Sequence, residues 1–247
     1  MSGGTAIVFG ATGLTGRYVV SHLARPRTLR VIAHVRPDSP RLAEWRTRFA
    51  QEGAEVSVAA WTKEGIDALV ARERPTLVFG LLGTTQARVK RAARAGRDAS
   101  NETYDAVDVA LTEMAIAACA AISPRPRFVY LSSVGTSETA AGSYLKARAR
   151  VERTLRASGL PYTIARPSFI VGDRDEPRVL EKLAAPVADG LLGVLGAIGA
   201  TRLRDQYRSI TGEALAKALV TLAHDPAWAD RIAEPADLQA AARLRDA

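Results

Sequence analysis

The stretch Ile7-Val8-Phe9-Gly10-Ala11-Thr12-Gly13-Leu14-Thr15-Gly16-Arg17 constrains this chain more than any other. An apolar, strand-like run meets three glycines spaced by three, and Tyr18-Val19-Val20-Ser21-His22-Leu23 then continues with helical periodicity. A strand, a tight turn and a helix N-terminus in succession aim unpaired N–H groups and the positive end of a helix dipole at one point. A pyrophosphate is stabilised at such a point. Glycine serves there because the turn needs unusual backbone angles and because a Cβ would hold phosphates away from the backbone. A lone G-x-x-G-x-x-G is a weak signal, but the flanking strand and helix make this one a dinucleotide-binding signal. Gly10, Thr12, Gly13, Leu14, Thr15, Gly16 and Arg17 are therefore candidate cofactor-binding residues.

The rest of the chain repeats the same alternation. Strands are predicted at 5–9, 29–35, 55–60, 76–82, 127–132 and 162–165, with helices at about 14–25, 40–52, 63–73, 103–121 and 143–157. Several strands are apolar with little alternation, as parallel strands covered on both faces are. Repeated βα units imply an α/β fold with a doubly wound parallel sheet, whose ligands sit at the carboxyl ends of the strands. A length of 247 residues suits one such domain. Beyond Gly172 the rhythm lapses, so within a single domain over 1–247 the residues 173–247 are expected to form a small, mostly helical region on the substrate side.

Charge and cysteine content narrow the class further. The net charge of +8 comes mostly from arginines scattered singly along helices, which reads as solvated faces. One cluster, Arg88, Lys90, Arg91, Arg94 and Arg97, lacks the interleaved aromatics on which bases stack. A solvated loop or short helix near an anionic cofactor is the better reading, and nucleic acid is left as a minor alternative resting on charge alone. Cys119 lies in an apolar helical run and reads as a buried, inert thiol. His22, His34 and His224 form no metal motif. The chain leads straight into its first strand, which leaves no room for a secretory signal and suggests the cytoplasm.

Two further positions speak to the cofactor. The second strand ends in Ala33-His34-Val35-Arg36-Pro37, with no acidic residue from 31 to 37. An acid there would accept from a ribose 2′-OH, whereas Arg36 offers a forked cation to a 2′-phosphate, with Arg17 as a possible second charge. NADP(H) is thus expected over NAD(H).

With Gly-Ala-Thr-Gly-Leu-Thr-Gly, Leu81-Leu82-Gly83-Thr84-Thr85, Leu131-Ser132-Ser133, Tyr144 and Arg166-Pro167-Ser168-Phe169-Ile170-Val171-Gly172 in that order, the chain resembles the short-chain dehydrogenase/reductase superfamily. It is most similar to the atypical branch, in particular the TIP30-like and NmrA-like groups. The resemblance covers about 5–172 and implies a Rossmann fold, an NAD(P) cofactor and hydride transfer. It gives Ser133 the role of substrate-oxygen ligand and Tyr144 that of general acid/base, with Leu82, Gly83 and Pro167 beside the cofactor. Two departures accompany it. The family's lysine four positions after the tyrosine is Arg148 here, and Lys146 points to the opposite side of the helix. Arg148 supplies a permanent cation but does not deprotonate. The family's Asn-Asn-Ala-Gly-type segment is replaced by Leu81-Leu82-Gly83-Thr84-Thr85, without a counterpart for its asparagine.

The segment 183–200 carries glycines at 190, 193, 196 and 199 among large aliphatic residues. It is short for a transmembrane span and includes Asp189 and Pro186. A mobile apolar lid over a hydrophobic substrate and a packed helix or surface patch for another subunit or a membrane are both open. Three functions follow from these residues. The first is an NADP(H)-dependent oxidoreductase acting on a small apolar carbonyl or alcohol. The second is a non-catalytic NAD(P)H-binding sensor working through a protein partner or a second copy. The third, a sugar-nucleotide epimerase or dehydratase, is disfavoured by the short C-terminal portion.

Overall fold

The five residues of β1 (Thr5–Phe9) are covered on both faces, and they explain the layering of the whole molecule. Ala6 and Val8 join one hydrophobic core, while Ile7 and Phe9 join the other. The computed structural model describes residues 3–83, 109–172 and 209–244. The cluster between Arg88 and Arg97, the start of the helix predicted at 103–121 and the segment 183–200 lie outside the described residues, as do Thr84 and Thr85.

After β1 come α1 (Gly16–Ala24), β2 (Arg30–His34), α2 (Leu42–Glu52), β3 (Glu55–Ser57), α3 (Lys63–Glu73) and β4 (Leu77–Gly80). Then follow α4 (Thr112–Ala120), β5 (Arg127–Leu131), α5 (Ser143–Ala157), β6 (Tyr162–Ala165) and β7 (Ile170–Val171). The chain finishes with β8 (Ile210–Thr211), α6 (Gly212–His224), β9 (Arg231–Ala233) and α7 (Pro235–Arg243). Among the described residues seven strands form one sheet in the order β3-β2-β1-β4-β5-β6-β9, and every pair is parallel. Ile7 pairs with Ile32 on one side and Val78 on the other. α1, α2, α6 and α7 cover one face through Val19, Phe49, Leu219 and Leu238; α3, α4 and α5 cover the other through Leu69, Ile116 and Leu155. This is the doubly wound Rossmann arrangement expected from the sequence.

Three local differences matter for the site. The strand predicted at 55–60 stops at Ser57, which frees Ala60 and Trp61 to face the cleft; Thr62 then caps α3 by accepting from Gly65 N at 3.1 Å. The described part of 103–121 begins with a π-turn at 109–111 before α4. Beyond Gly172 the described residues carry α6 and α7 together with β8 and β9, two strands the sequence did not announce. Asp230, at φ +58°, clips β9 to the sheet: its N–H donates to Tyr162 O at 2.7 Å, and its carboxylate accepts from Tyr162 N at 3.2 Å. Strands of two and three residues carry no periodicity to read. Among the described residues no helix is long and apolar enough to cross a membrane. Cys119 is buried, and burial pushes its thiol pKa up to about 12.

Candidate active site

The sheet order turns between β1 and β4, and a cleft of about 360 Å³ opens at the carboxyl ends of β1 to β4. Among the described residues, Gly10, Thr12 and Gly13 of the glycine turn form one wall, and Leu81, Leu82 and Gly83 after β4 form another. His34, Arg36, Pro37 and Asp38 after β2, with Ala60 and Trp61 after β3, complete the far end.

The turn shows why glycine is needed. Gly10 has φ +83°, and a Cβ there would lie 2.5 Å from Leu81 O. A Cβ on Gly16 would lie 2.1 Å from Gly10 O. Gly13 N donates back to Gly10 O at 3.0 Å, and Thr15 makes no side-chain cap, so the α1 N-terminus is not capped from its own chain in that way. Thr12 and Gly13 are exposed to the cleft. A cradle that a Cβ would fill, beside a helix N-terminus at the topological switch point, suits a dinucleotide diphosphate.

The other motif residues stand behind that wall. Leu14 fills a notch between Gly172 and Gly212, where added Cβ atoms would lie 3.3 and 2.9 Å from its side chain. Thr15 and Gly16 are buried. Arg17 is 9% exposed, with its guanidinium carbon 5.2 Å from the Tyr18 ring centre, and does not line the cleft. Among the described residues the cleft lining includes Arg36 but not Arg17.

Arg36 does line the cleft, and so does Asp38, whose Oδ1 lies 3.8 Å from Arg36 Nε. Asp38 falls just past the acid-free window of the sequence. Behind them sits an aromatic cluster, with His34 4.7 Å from Trp61 and 5.4 Å from Phe9 between ring centres. His34 Nε2 lies 2.8 Å from Ala59 O; a carbonyl only accepts, so this nitrogen carries the proton. Burial holds the His34 pKa below the ordinary imidazole value, partly offset by that bond.

Beyond the Leu82 wall, α5 carries Tyr144 and, one turn on, Arg148. Tyr144 is half-buried, Arg148 is buried, and Lys146 is exposed as the helical period requires. Arg148 Nη1 donates to Leu131 O at 2.7 Å, to Tyr130 Oη at 3.1 Å and to Leu82 O at 3.3 Å. Its guanidinium carbon lies 5.1 Å from the Tyr144 ring centre. A Cβ on Gly83 would come within 3.0 Å of Arg148 Nη2. One cation therefore joins the ends of β4 and β5 to the tyrosine.

The two strand-end serines are unlike each other. Ser132 is buried and donates to Glu152 Oε1 at 2.6 Å; Ser133 is half-exposed, with a long 3.4 Å bond to Val134 O. Pro167 is buried after β6, and its carbonyl accepts from Val134 N at 2.9 Å. The structure thus gathers Arg148, Tyr144, Leu82 and Gly83, and ties the turn of Ser133 to Pro167. Asp38, Trp61 and Glu152 escaped the sequence reading. Asp38 and Trp61 lie just beyond the predicted strand ends. Glu152 follows Tyr144 and Arg148 at helical spacing, its one visible signal.

A family model described as NAD(P)H-binding matches residues 10–191. The chain belongs to this NAD(P)H-binding family. The glycine turn, both strand-end serines, Tyr144 and Arg148 all fall within the matched residues. This NAD(P)H-binding chain is 28% identical over 186 residues to Protein fmp52-1, mitochondrial, of Aspergillus terreus, covering 73% of each chain. It is also 28% identical over 177 residues to NADH dehydrogenase (ubiquinone) 1 alpha subcomplex subunit 9, mitochondrial, of Mus musculus. That match covers 71% of this chain and 43% of the subunit, so the chain spans less than half of that relative's length. In fold it is similar to a Bacillus halodurans protein provisionally named an NAD-dependent epimerase/dehydratase. The TM-score is 0.65 at 20% identity, covering 96% of this chain and 99% of the other.

Proposed function

We propose that this NAD(P)H-binding protein is an NADP(H)-dependent oxidoreductase of the atypical short-chain dehydrogenase/reductase type, acting on a small, apolar carbonyl or alcohol. The carrying observation is Arg148, which bonds the Leu82 carbonyl at the cleft wall while lying over Tyr144. A bound nicotinamide supplies or accepts hydride. Tyr144 Oη gives its proton to the oxygen that gains charge, or takes one in the reverse direction. Ser133 Oγ, held by only a long internal bond, donates to the same oxygen and orients it. Arg148 stabilises phenolate character electrostatically without itself moving a proton. Arg36 favours a 2′-phosphate, while Asp38 favours a free 2′-OH, and the pair sets the balance between NADP(H) and NAD(H). The cytoplasm is the proposed setting, although the two relatives named above are mitochondrial proteins.

The test is NADPH oxidation across a panel of aldehydes and ketones, comparing wild type with Tyr144→Phe. Turnover that is lost in the variant while NADPH still binds supports the oxidoreductase. A second reading, a redox sensor that binds NAD(P)H and acts through a protein partner, is favoured by one observation. The Arg148 guanidinium is committed to three oxygen acceptors at the strand ends. Tight NADPH binding without turnover across the panel selects that reading.

A further inference from the structure

The Glu152 carboxylate is almost wholly buried, yet it accepts three hydrogen bonds from two different strand ends. Oε1 takes Ser132 Oγ at 2.6 Å and Arg166 Nε at 2.9 Å, while Oε2 takes Arg166 Nη2 at 2.6 Å. Glu152 is 1% exposed and Arg166 is 20% exposed, and the Arg166 fork reaches Glu234 as well, at 3.3 Å. Ser132 directly follows β5 and Arg166 directly follows β6, so one carboxylate fastens α5 to both strands. Spacings of four and eight residues place Arg148 and Tyr144 on the same helical stripe as Glu152. The turn beyond Ser132 is held from the same hub. Thr136 Oγ1 lies 3.2 Å from Ser132 Oγ and donates to Ser133 O at 2.7 Å. Val134 N donates to Pro167 O, and Ser132 N to Ala165 O.

A buried ion pair of this kind gives little net stability over an apolar replacement, because desolvation offsets the attraction. What it does give is a fixed geometry among the three elements that carry Ser133, Tyr144 and Pro167. We propose that Glu152 is a positioning residue, whose bonds to Ser132 and Arg166 set where α5 holds Tyr144 and Arg148 relative to the Ser133 turn. This rests on the oxidoreductase reading for its kinetic consequence, but not for its geometric one.

The experiment uses full-length protein labelled with 13Cζ-tyrosine, with the Tyr144 resonance assigned from Tyr144→Phe. Glu152→Gln keeps the volume but breaks part of the Arg166 fork. Ser132→Ala removes one bond without stranding a charge, and it serves if Glu152→Gln does not fold. Glu234→Gln, at the outer end of the same arginine, is the control. The expected result is a displaced Tyr144 resonance and pH titration in Glu152→Gln and Ser132→Ala, unchanged in Glu234→Gln. NADPH Kd should stay within about twofold in all three. Where wild type turns over, kcat should fall roughly tenfold in Glu152→Gln with KM for NADPH unchanged. If wild type shows no turnover on any carbonyl, the oxidoreductase reading fails, and the resonance alone decides the positioning role. An unshifted Tyr144 signal in both inner variants overturns the proposal, whatever the activity.

Discussion

The Arg148 guanidinium lies 5.1 Å from the centre of the Tyr144 ring, and the same group donates to the Leu82 and Leu131 carbonyls. A lysine ammonium is a compact point charge and cannot fork across two strand ends. Arg148→Lys should therefore keep the cation near Tyr144 but cost about 1–3 kcal/mol of stability through orphaned carbonyls. Urea unfolding measures this; an unchanged midpoint would show that the fork contributes nothing.

Arg36 and Asp38 share one end of the cleft with opposite charges. Arg36→Ala should weaken NADPH about tenfold or more, in the range of a lost charge-assisted hydrogen bond, and leave NADH nearly unchanged. Asp38→Asn should act oppositely, tightening NADPH by removing a competitor for the guanidinium. Calorimetric titration of both variants with both nucleotides checks the pair, and equal losses for NADPH and NADH in Arg36→Ala would refute it.

Trp61 lines the cleft and packs edge-on against His34. If the adenine ring rests against this end, NADPH and NADH should both quench Trp61 emission, and Trp61→Phe should remove that response. Trp61→Ala should weaken both nucleotides alike, by about 1–3 kcal/mol as for a lost base–aromatic contact.

Burial lowers the His34 pKa, so the folded chain binds a proton less readily than the unfolded one. The neutral imidazole's contribution is complete above the ordinary value of about 6.5 and is lost as pH falls below it toward the depressed folded value. Stability should decline there by at most about 1.4 kcal/mol per pH unit for this one proton. Thermal unfolding from pH 7.5 down to 5.5 (both about, as working limits) should show a steeper fall for wild type than for His34→Asn. Parallel curves would remove His34 as the cause.

Gly16 has Gly10 O where a methyl would stand, 2.1 Å from an ideal Cβ. Gly16→Ala should push the turn open and reduce affinity for NADPH and NADH together, by roughly tenfold or more. A variant that folds and binds both normally would show that the turn yields freely.

Much of this molecule is legible in its residues. β1 and β6 occupy the predicted ranges because apolar parallel strands flanked by turns leave one reading. α3 and α5 begin and end where their periodicity does. β9 escaped because Arg231-Ile232-Ala233 is too short for a pattern, and its place depends on Asp230 meeting Tyr162 across the fold. The glycine turn was readable because its chemistry is local. The division of labour between Ser132 and Ser133 was not, because it is decided by Glu152 on a helix and Arg166 on another strand end. Arg17 was legible only as the neighbour of the last motif glycine; its burial, with the guanidinium against Tyr18 and outside the described cleft lining, is set by packing that the sequence does not show.

The packing of α1 against α6, with Leu14 seated beside Gly212, has a consequence for biosynthesis. The glycine turn leaves the ribosome early, but the helix that props it from behind emerges only with residues 212–224. A nascent fragment lacking that prop exposes the apolar side of α1 and is open to proteases and chaperones. Nucleotide capture therefore waits until residues 212–224 have emerged, and excess NADPH added to translating ribosomes should protect fragments that include them and leave shorter ones untouched.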